Sequence, residues 1–198
     1  MKEVFVNRSL TYLIKNNACK KEQINTFRYV LESLYSLVSK TSAVLIISIF
    51  LNTFKITFIS LLLFSILRGF TFGIHASKNL YCWITTLGIY SICPFLIQRI
   101  YFSKELIISC YLIGFLSILF FSPSDTPKRP LINKRKRKVN KIISLGIGIV
   151  YILISFIING DYFYQVICFV LLLTSICINP LTYKLFKIPY NNYKNYCS

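Results

Sequence analysis

The feature that most limits what this chain can fold into is a series of apolar runs close to the thickness of a bilayer. Residues 80–98, 105–122, 142–158 and 162–180 are almost free of charge. Each approaches the ~20 residues that a helix needs to cross hydrocarbon. Of the 198 residues 55% are hydrophobic, and the mean hydropathy is +0.61. A soluble domain of this size has too little interior for so much apolar surface. Helices satisfy their own backbone in lipid, so the spans are expected to be helical. The expectation is an all-α, polytopic integral membrane protein. The polar, charged first residues argue against a cleavable signal peptide.

Two regions are less clear. Residues 41–67 are apolar but broken at "NTFK", Asn52 to Lys55. Each half is about 13 residues long, short for a full span. The region reads as one tilted helix or as a tight helical hairpin turning near Asn52. Residues 1–40 are mixed, with Phe27, Val30, Leu31, Leu34 and Leu37 at helical spacing and Lys20, Lys21, Arg28 and Lys40 on a basic side. That suits amphipathic helices on an anionic membrane face, or a helix packed on the rest of the protein. The chain thus reads as one membrane-embedded domain of six hydrophobic segments, four clear spans and a hairpin, with a surface region before them. Between and after these lie the polar segment 68–82, the loop 123–141 and the tail 181–198.

The formal net charge of +17 reads as topology before it reads as a nucleic-acid partner. Loop 123–141 carries Lys128, Arg129, Lys134, Arg135, Lys136, Arg137, Lys138 and Lys141, which places it in the cytoplasm. The turn Asn159–Asp161 has no basic residue and falls outside. The tail, with Lys184, Lys187 and Lys194, returns inside. Counting backward puts 68–79 on the cytoplasmic side. The basic amino terminus shares that side only if 41–67 crosses an even number of times, which favours the hairpin.

The polar segment "RGFTFGIHASKNLYC" holds His75, the single histidine, and Cys82. The seven cysteines show no paired CxxC spacing. Most lie in apolar spans, where cysteine behaves as a small hydrophobe, and cytoplasmic loops disfavour a disulfide framework. Cys82 differs in its polar neighbourhood. Three readings compete. A zinc site needs three or four ligands, and no acid lies near the histidine in sequence. A structural reading makes His75 a satisfied helix-end residue and Cys82 core filler. A nucleophile–base reading lets the imidazole take the thiol proton. A straight helix through 75–82 would separate the two by about 10 Å of rise, too far for that transfer. The chain must turn between them, and Ser77 or Asn79 is a suitable N-cap for a new helix.

This segment is similar to the signature of the accessory gene regulator B family, membrane-embedded cysteine endopeptidases of Gram-positive quorum sensing. Arg68, Gly73, His75, Ala76 and Cys82 carry the likeness; Phe72 stands where the family often has a first glycine. "FSPSDTPKRPL", Phe121 to Leu131, resembles the family's proline-bounded loop, again followed by a basic run. The resemblance implies His75 and Cys82 as the catalytic pair. It implies an AgrD-like precursor peptide as substrate, cut through a thioester acyl-enzyme and closed into a thiolactone or lactone, with no cofactor and no metal. Membrane lipids, and a homodimer, are the other partners it allows; nucleic acid is not one. Auxiliary roles fall on Arg68 (holding a carboxylate or an acyl oxygen, or a plain membrane-edge arginine), Gly73 (close backbone approach, or merely a helix end) and Ser77 (orienting His75 or capping). Lys134, Arg135, Lys136, Arg137 and Lys138 would attract the acidic peptide tail, beside the plainer reading that they only set topology. The rival functions are a peptide-exporting permease and a non-enzymatic membrane scaffold.

Overall fold

The computed structural model describes residues 2–15, 24–74, 79–127, 130–158 and 162–193. Among them are eight helices: α1 (Lys2–Lys15), α2 (Ile24–Phe50), α3 (Phe54–Thr71), α4 (Asn79–Arg99), α5 (Lys104–Phe121), α6 (Lys134–Ile157), α7 (Phe163–Ile178) and α8 (Pro180–Leu185). An isolated parallel bridge joins Phe72 to Ser124. Five helices are long and apolar enough to cross a membrane, and α7 is a shorter apolar helix of 16 residues. The all-α polytopic expectation therefore stands, with α7 in place of a sixth full-length span.

Two boundaries differ from those the sequence suggested. The surface region was expected to end at residue 40, yet α2 runs unbroken from Ile24 to Phe50. The polar residues Ser39 to Ser42 do not stop it, because no glycine or proline interrupts the run. Its apolar part, Val30–Phe50, is therefore 21 residues long rather than half a hairpin. The turn itself falls where expected: Asn52 takes a left-handed φ of 54°, and the Thr53 amide donates to Ser48 O at 2.9 Å. The second difference is in the basic loop. α6 begins at Lys134, inside it, because Asn133 Oδ1 accepts from the amides of Arg135 (2.9 Å) and Lys136 (3.2 Å). Lysine and arginine then propagate a capped helix well.

The chain forms two compact units, residues 1–47 and 48–198. In the first, α1 lies along α2: Arg28 Nη2 donates to Asn7 Oδ1 at 3.1 Å, and the Phe5 and Tyr35 rings sit 5.6 Å apart. Val4 and Tyr12 on α1 remain exposed.

The second unit is built inside-out relative to a soluble protein. Thr57, Ser60, Ser117, Ser144, Gln165, Thr174 and Ser175 are buried, whereas Phe58, Ile84, Ile92, Ile108, Leu112, Leu153 and Phe156 face outward. That is the partition lipid requires, since hydrocarbon does not penalise outward apolar groups and small polar residues let helices approach. α7 is the central element, with nine buried residues among its 16. It packs against α5 through Gly114, where an added Cβ would stand 2.7 Å from Leu171 Cβ. Ser175 Oγ donates to Ser117 Oγ at 2.6 Å, and Tyr111 OH donates to Tyr164 O at 3.0 Å along the same seam. Gly114→Val should therefore force α5 and α7 apart. The expected loss is about 1–3 kcal/mol, the range for overpacked cores. It should appear as a lower thermal midpoint of the detergent-purified protein, while Gly146→Val, at a position with no neighbouring heavy atom within 4 Å, should leave that midpoint near wild type.

Candidate active site

α3 ends at Thr71, and the next three residues leave the helix without leaving the protein. The Phe72 amide donates to Arg68 O at 3.1 Å, the Gly73 amide to Ser124 O at 2.7 Å, and the Ile74 amide to Cys177 O at 2.9 Å. The Ser124 amide returns a bond to Thr71 O at 3.0 Å. Three consecutive amides are thus fixed by three different elements: α3, the loop after α5, and the end of α7. The Arg68 guanidinium closes the set, Nη2 donating to Ile74 O. Arg68 Nη1 is buried with no hydrogen-bond partner among the described residues. A buried, unused guanidinium N–H is costly, and it is the kind of donor an incoming carbonyl or carboxylate can engage.

Gly73 is required here for two reasons. Its φ is +104°, a region that side-chain-bearing residues rarely adopt. An added Cβ would also lie 2.7 Å from both Arg68 Nη1 and Cys177 O.

His75 and Ser77 lie outside the described residues, as does all but Asn79 of the break expected within residues 75–79. On the far side, α4 is described from Asn79 onward, and Cys82 lies on it, half-buried and not in a disulfide. Thr85 Oγ1 donates to Tyr81 O at 2.8 Å and approaches Cys82 O at 3.3 Å, capping off backbone carbonyls on that helix. Among the described residues no three His, Cys, Asp or Glu side chains gather as a metal would require.

The basic run is not uniform. Lys134, Arg135, Lys136 and Lys138 are exposed. Arg137 is not: its side chain is 16% exposed and its Nη1 lies 3.3 Å from Oδ1 of the fully buried Asp125. Its Nη2 donates to Pro123 O at 3.3 Å, and its guanidinium stacks 3.6 Å above the Tyr193 ring. Asp125 also accepts from the amides of Leu131 (3.4 Å) and Tyr193 (2.9 Å). The expectation that Arg137 faces a peptide tail with its neighbours is therefore corrected; it is already paired. Sequence reasoning also missed Ser124, Asp125 and Tyr183. The available signal was weak: one acid in a strongly basic loop.

The accessory gene regulator B description matches residues 6–178. The chain belongs to the accessory gene regulator B family. An AgrB-like protein of Listeria welshimeri is 32% identical over 130 residues, covering 66% of this chain and 64% of the relative. An AgrB-like protein of Clostridium acetobutylicum is 26% identical over 180 residues, covering 90% and 86%. Accessory gene regulator protein B of Staphylococcus haemolyticus is 27% identical over 170 residues, covering 86% and 89%. The chain spans 64% of the length of its Listeria relatives. No solved structure matches it. With its apolar helices, this family membership makes the chain a multi-pass membrane protein.

The role of Gly73 can be checked directly. Gly73→Ala should lower the thermal midpoint in detergent, because a left-handed backbone strain of about 1–3 kcal/mol adds to the two close contacts. Gly69→Ala, on the same helix end but with open space around it, should be neutral in the same measurement.

Proposed function

We propose that this protein is the membrane cysteine endopeptidase of a quorum-sensing system. It would cut the acidic C-terminal tail from a short membrane-bound precursor and let the remaining peptide cyclise. One observation carries the reading: Gly73 takes the chain out of α3 with a positive φ two residues before His75, and Cys82 lies half-buried on α4. Family membership supports the same reading.

In this scheme His75 takes the proton from Cys82 as the sulfur attacks the scissile carbonyl. The C–N bond breaks, the proton passes to the leaving amine, and the tail departs. The acyl group remains as a thioester on Cys82. A thiol or hydroxyl within the peptide then attacks that thioester, closes a thiolactone or lactone, and returns the proton to Cys82. One thioester exchanged for another keeps the acyl-transfer energy that water would waste, so a dry site at the membrane edge is suited to it. Arg68 Nη1 is a donor for the acyl oxygen or a substrate carboxylate. The Lys/Arg asymmetry puts this site on the cytoplasmic side. Exposed Lys134, Arg135, Lys136 and Lys138 draw in the acidic tail.

Co-expression with a precursor peptide tests the scheme. Cys82→Ala and His75→Ala should abolish release of the tail. Single changes of Cys93, Cys110, Cys168 or Cys177 to alanine should not, since Cys177 contributes its backbone carbonyl rather than its thiol. Full cleavage by Cys82→Ala would refute the mechanism and favour a permease.

The basic run makes a separable prediction. Charge reversal at Lys134, Lys136 and Lys138 together should raise the apparent KM several-fold and leave kcat near wild type. The difference should shrink as ionic strength rises and the Debye length falls to about 3 Å near 1 M. An unchanged KM would mean that these residues set topology alone.

A further inference from the structure

Beyond α7 the chain does not trail away. Asn179 Oδ1 accepts from the Leu181 amide at 2.9 Å and starts α8, which delivers Tyr183 into full burial. Tyr183 OH donates to Ser124 O at 3.0 Å, the same carbonyl that receives the Gly73 amide. Burial pushes the Tyr183 hydroxyl well above the usual phenol range, against the opposing pull of Arg68, so it remains a donor at neutral pH. The chain then reverses at Lys187, with φ 54°, where the Ile188 amide returns to Tyr183 O at 2.9 Å. The Tyr190 ring comes back edge-on to Tyr183 at 5.1 Å. Finally the Tyr193 amide reaches Asp125 Oδ2, and Arg137 covers the Tyr193 ring. The segment is anchored at both ends on adjacent residues of one loop, Ser124 and Asp125. It lies past residue 178, where the family match stops.

We infer that residues 180–193 form a strap that holds the Ser122–Thr126 loop against residues 72–74, with Tyr183 and Asp125 as positioning residues for the backbone that leads into His75. The strap acts through a shared acceptor. Ser124 O can hold the Gly73 amide in one place only if Ser124 is itself fixed. Tyr183 OH donates to its carbonyl, its amide donates to Thr71 O, and its single hydroxyl proton is shared between Phe121 O (2.7 Å) and Ile178 O (3.0 Å). Asp125 fixes the next residue by collecting Arg137, Leu131 and Tyr193. A buried carboxylate with three donors holds its geometry because releasing any one leaves charge poorly compensated. The catalytic part of this role rests on the proposed cysteine chemistry; the strap itself does not.

Tyr183→Phe removes the hydroxyl and keeps the ring, and Asp125→Asn keeps the shape while weakening the link to Arg137. Both are read by hydrogen exchange of the full-length protein in detergent and by steady-state processing of a precursor peptide. In Tyr183→Phe the Gly73 and Ile74 amides should exchange about fivefold faster, the range of one net buried hydrogen bond. Amides in the middle of α5 and α7 should stay at their wild-type rates. At saturating precursor kcat should fall by a similar factor with KM unchanged, and Asp125→Asn should lose more of both. Wild-type exchange at Gly73 and Ile74 in both variants overturns the strap. Faster exchange with unchanged kcat overturns the positioning role. If Cys82→Ala still processes the peptide, the proposed chemistry fails by itself, and the exchange data alone decide the strap.

Discussion

Everything near the candidate site depends on how this protein ends α3. A helix at the edge of a membrane leaves its final backbone groups short of partners, and hydrocarbon offers no water to replace them. The amides of Phe72, Gly73 and Ile74 could have continued the helix, but Gly73 turns the chain with a positive φ. The Phe72 amide is still met within α3, but those of Gly73 and Ile74 then had to be met by other elements. Arg68 O, Ser124 O and Cys177 O meet the three in turn. The polar backbone that approaches His75 is thereby held by α3, the loop after α5 and the end of α7, at a place where loose chain would be expensive.

The same need explains where α7 sits. The last carbonyls of a helix have no intrahelical partner. In α7 two of these are used as acceptors: Cys177 O takes the Ile74 amide and Ile178 O takes Ser124 Oγ. The helix that is most buried in the bundle therefore supplies the fixed points on which the site is hung. Its position is fixed in turn by Gly114 and by the Ser117–Ser175 bond. A chain of contacts thus runs from the α5–α7 seam to the backbone beside His75.

Much of the fold was legible as a sequence. The runs 80–98 and 105–122 coincide within a residue with α4 and α5, because apolar length in a bilayer is a demanding signal. The turn at Asn52 was legible because asparagine tolerates the left-handed region. The continuity of α2 was not, since Ser39 to Ser42 look like punctuation but leave the helix bonds intact. The helical start of the basic run was missed because charge was read as topology, and the Asn133 cap before it was passed over. In the candidate site, the turn at Gly73 could be argued locally. Ser124, Asp125 and Tyr183 could not. Tyr183 and Ser124 are 59 residues apart in sequence, and Ser124 and Ile178 are 54. Periodicity carries no information about such pairs, and a serine in a loop looks the same whether or not it is used.

Arg137 shows why a run of like charges should not be treated as one object. By sequence it is the fourth of five consecutive basic residues, and all five count equally toward orientation. The helix that begins at Lys134 separates them by about 100° per residue, so five neighbours cannot share a face. One of them must turn toward the protein. A lysine turned inward would bring a compact, strongly hydrated charge. A guanidinium can lie flat on the Tyr193 ring and still direct N–H groups to Asp125 and Pro123 O. The inward position is occupied by an arginine, and the only described acid buried in the second unit faces it. The four outward residues remain exposed, where their charge counts toward orientation in the Lys/Arg reading and where the proposed attraction of an acidic tail would act. The fifth is spent locally, on the loop that holds the end of α3. One short basic run therefore serves two tasks, divided by the pitch of the helix that carries it.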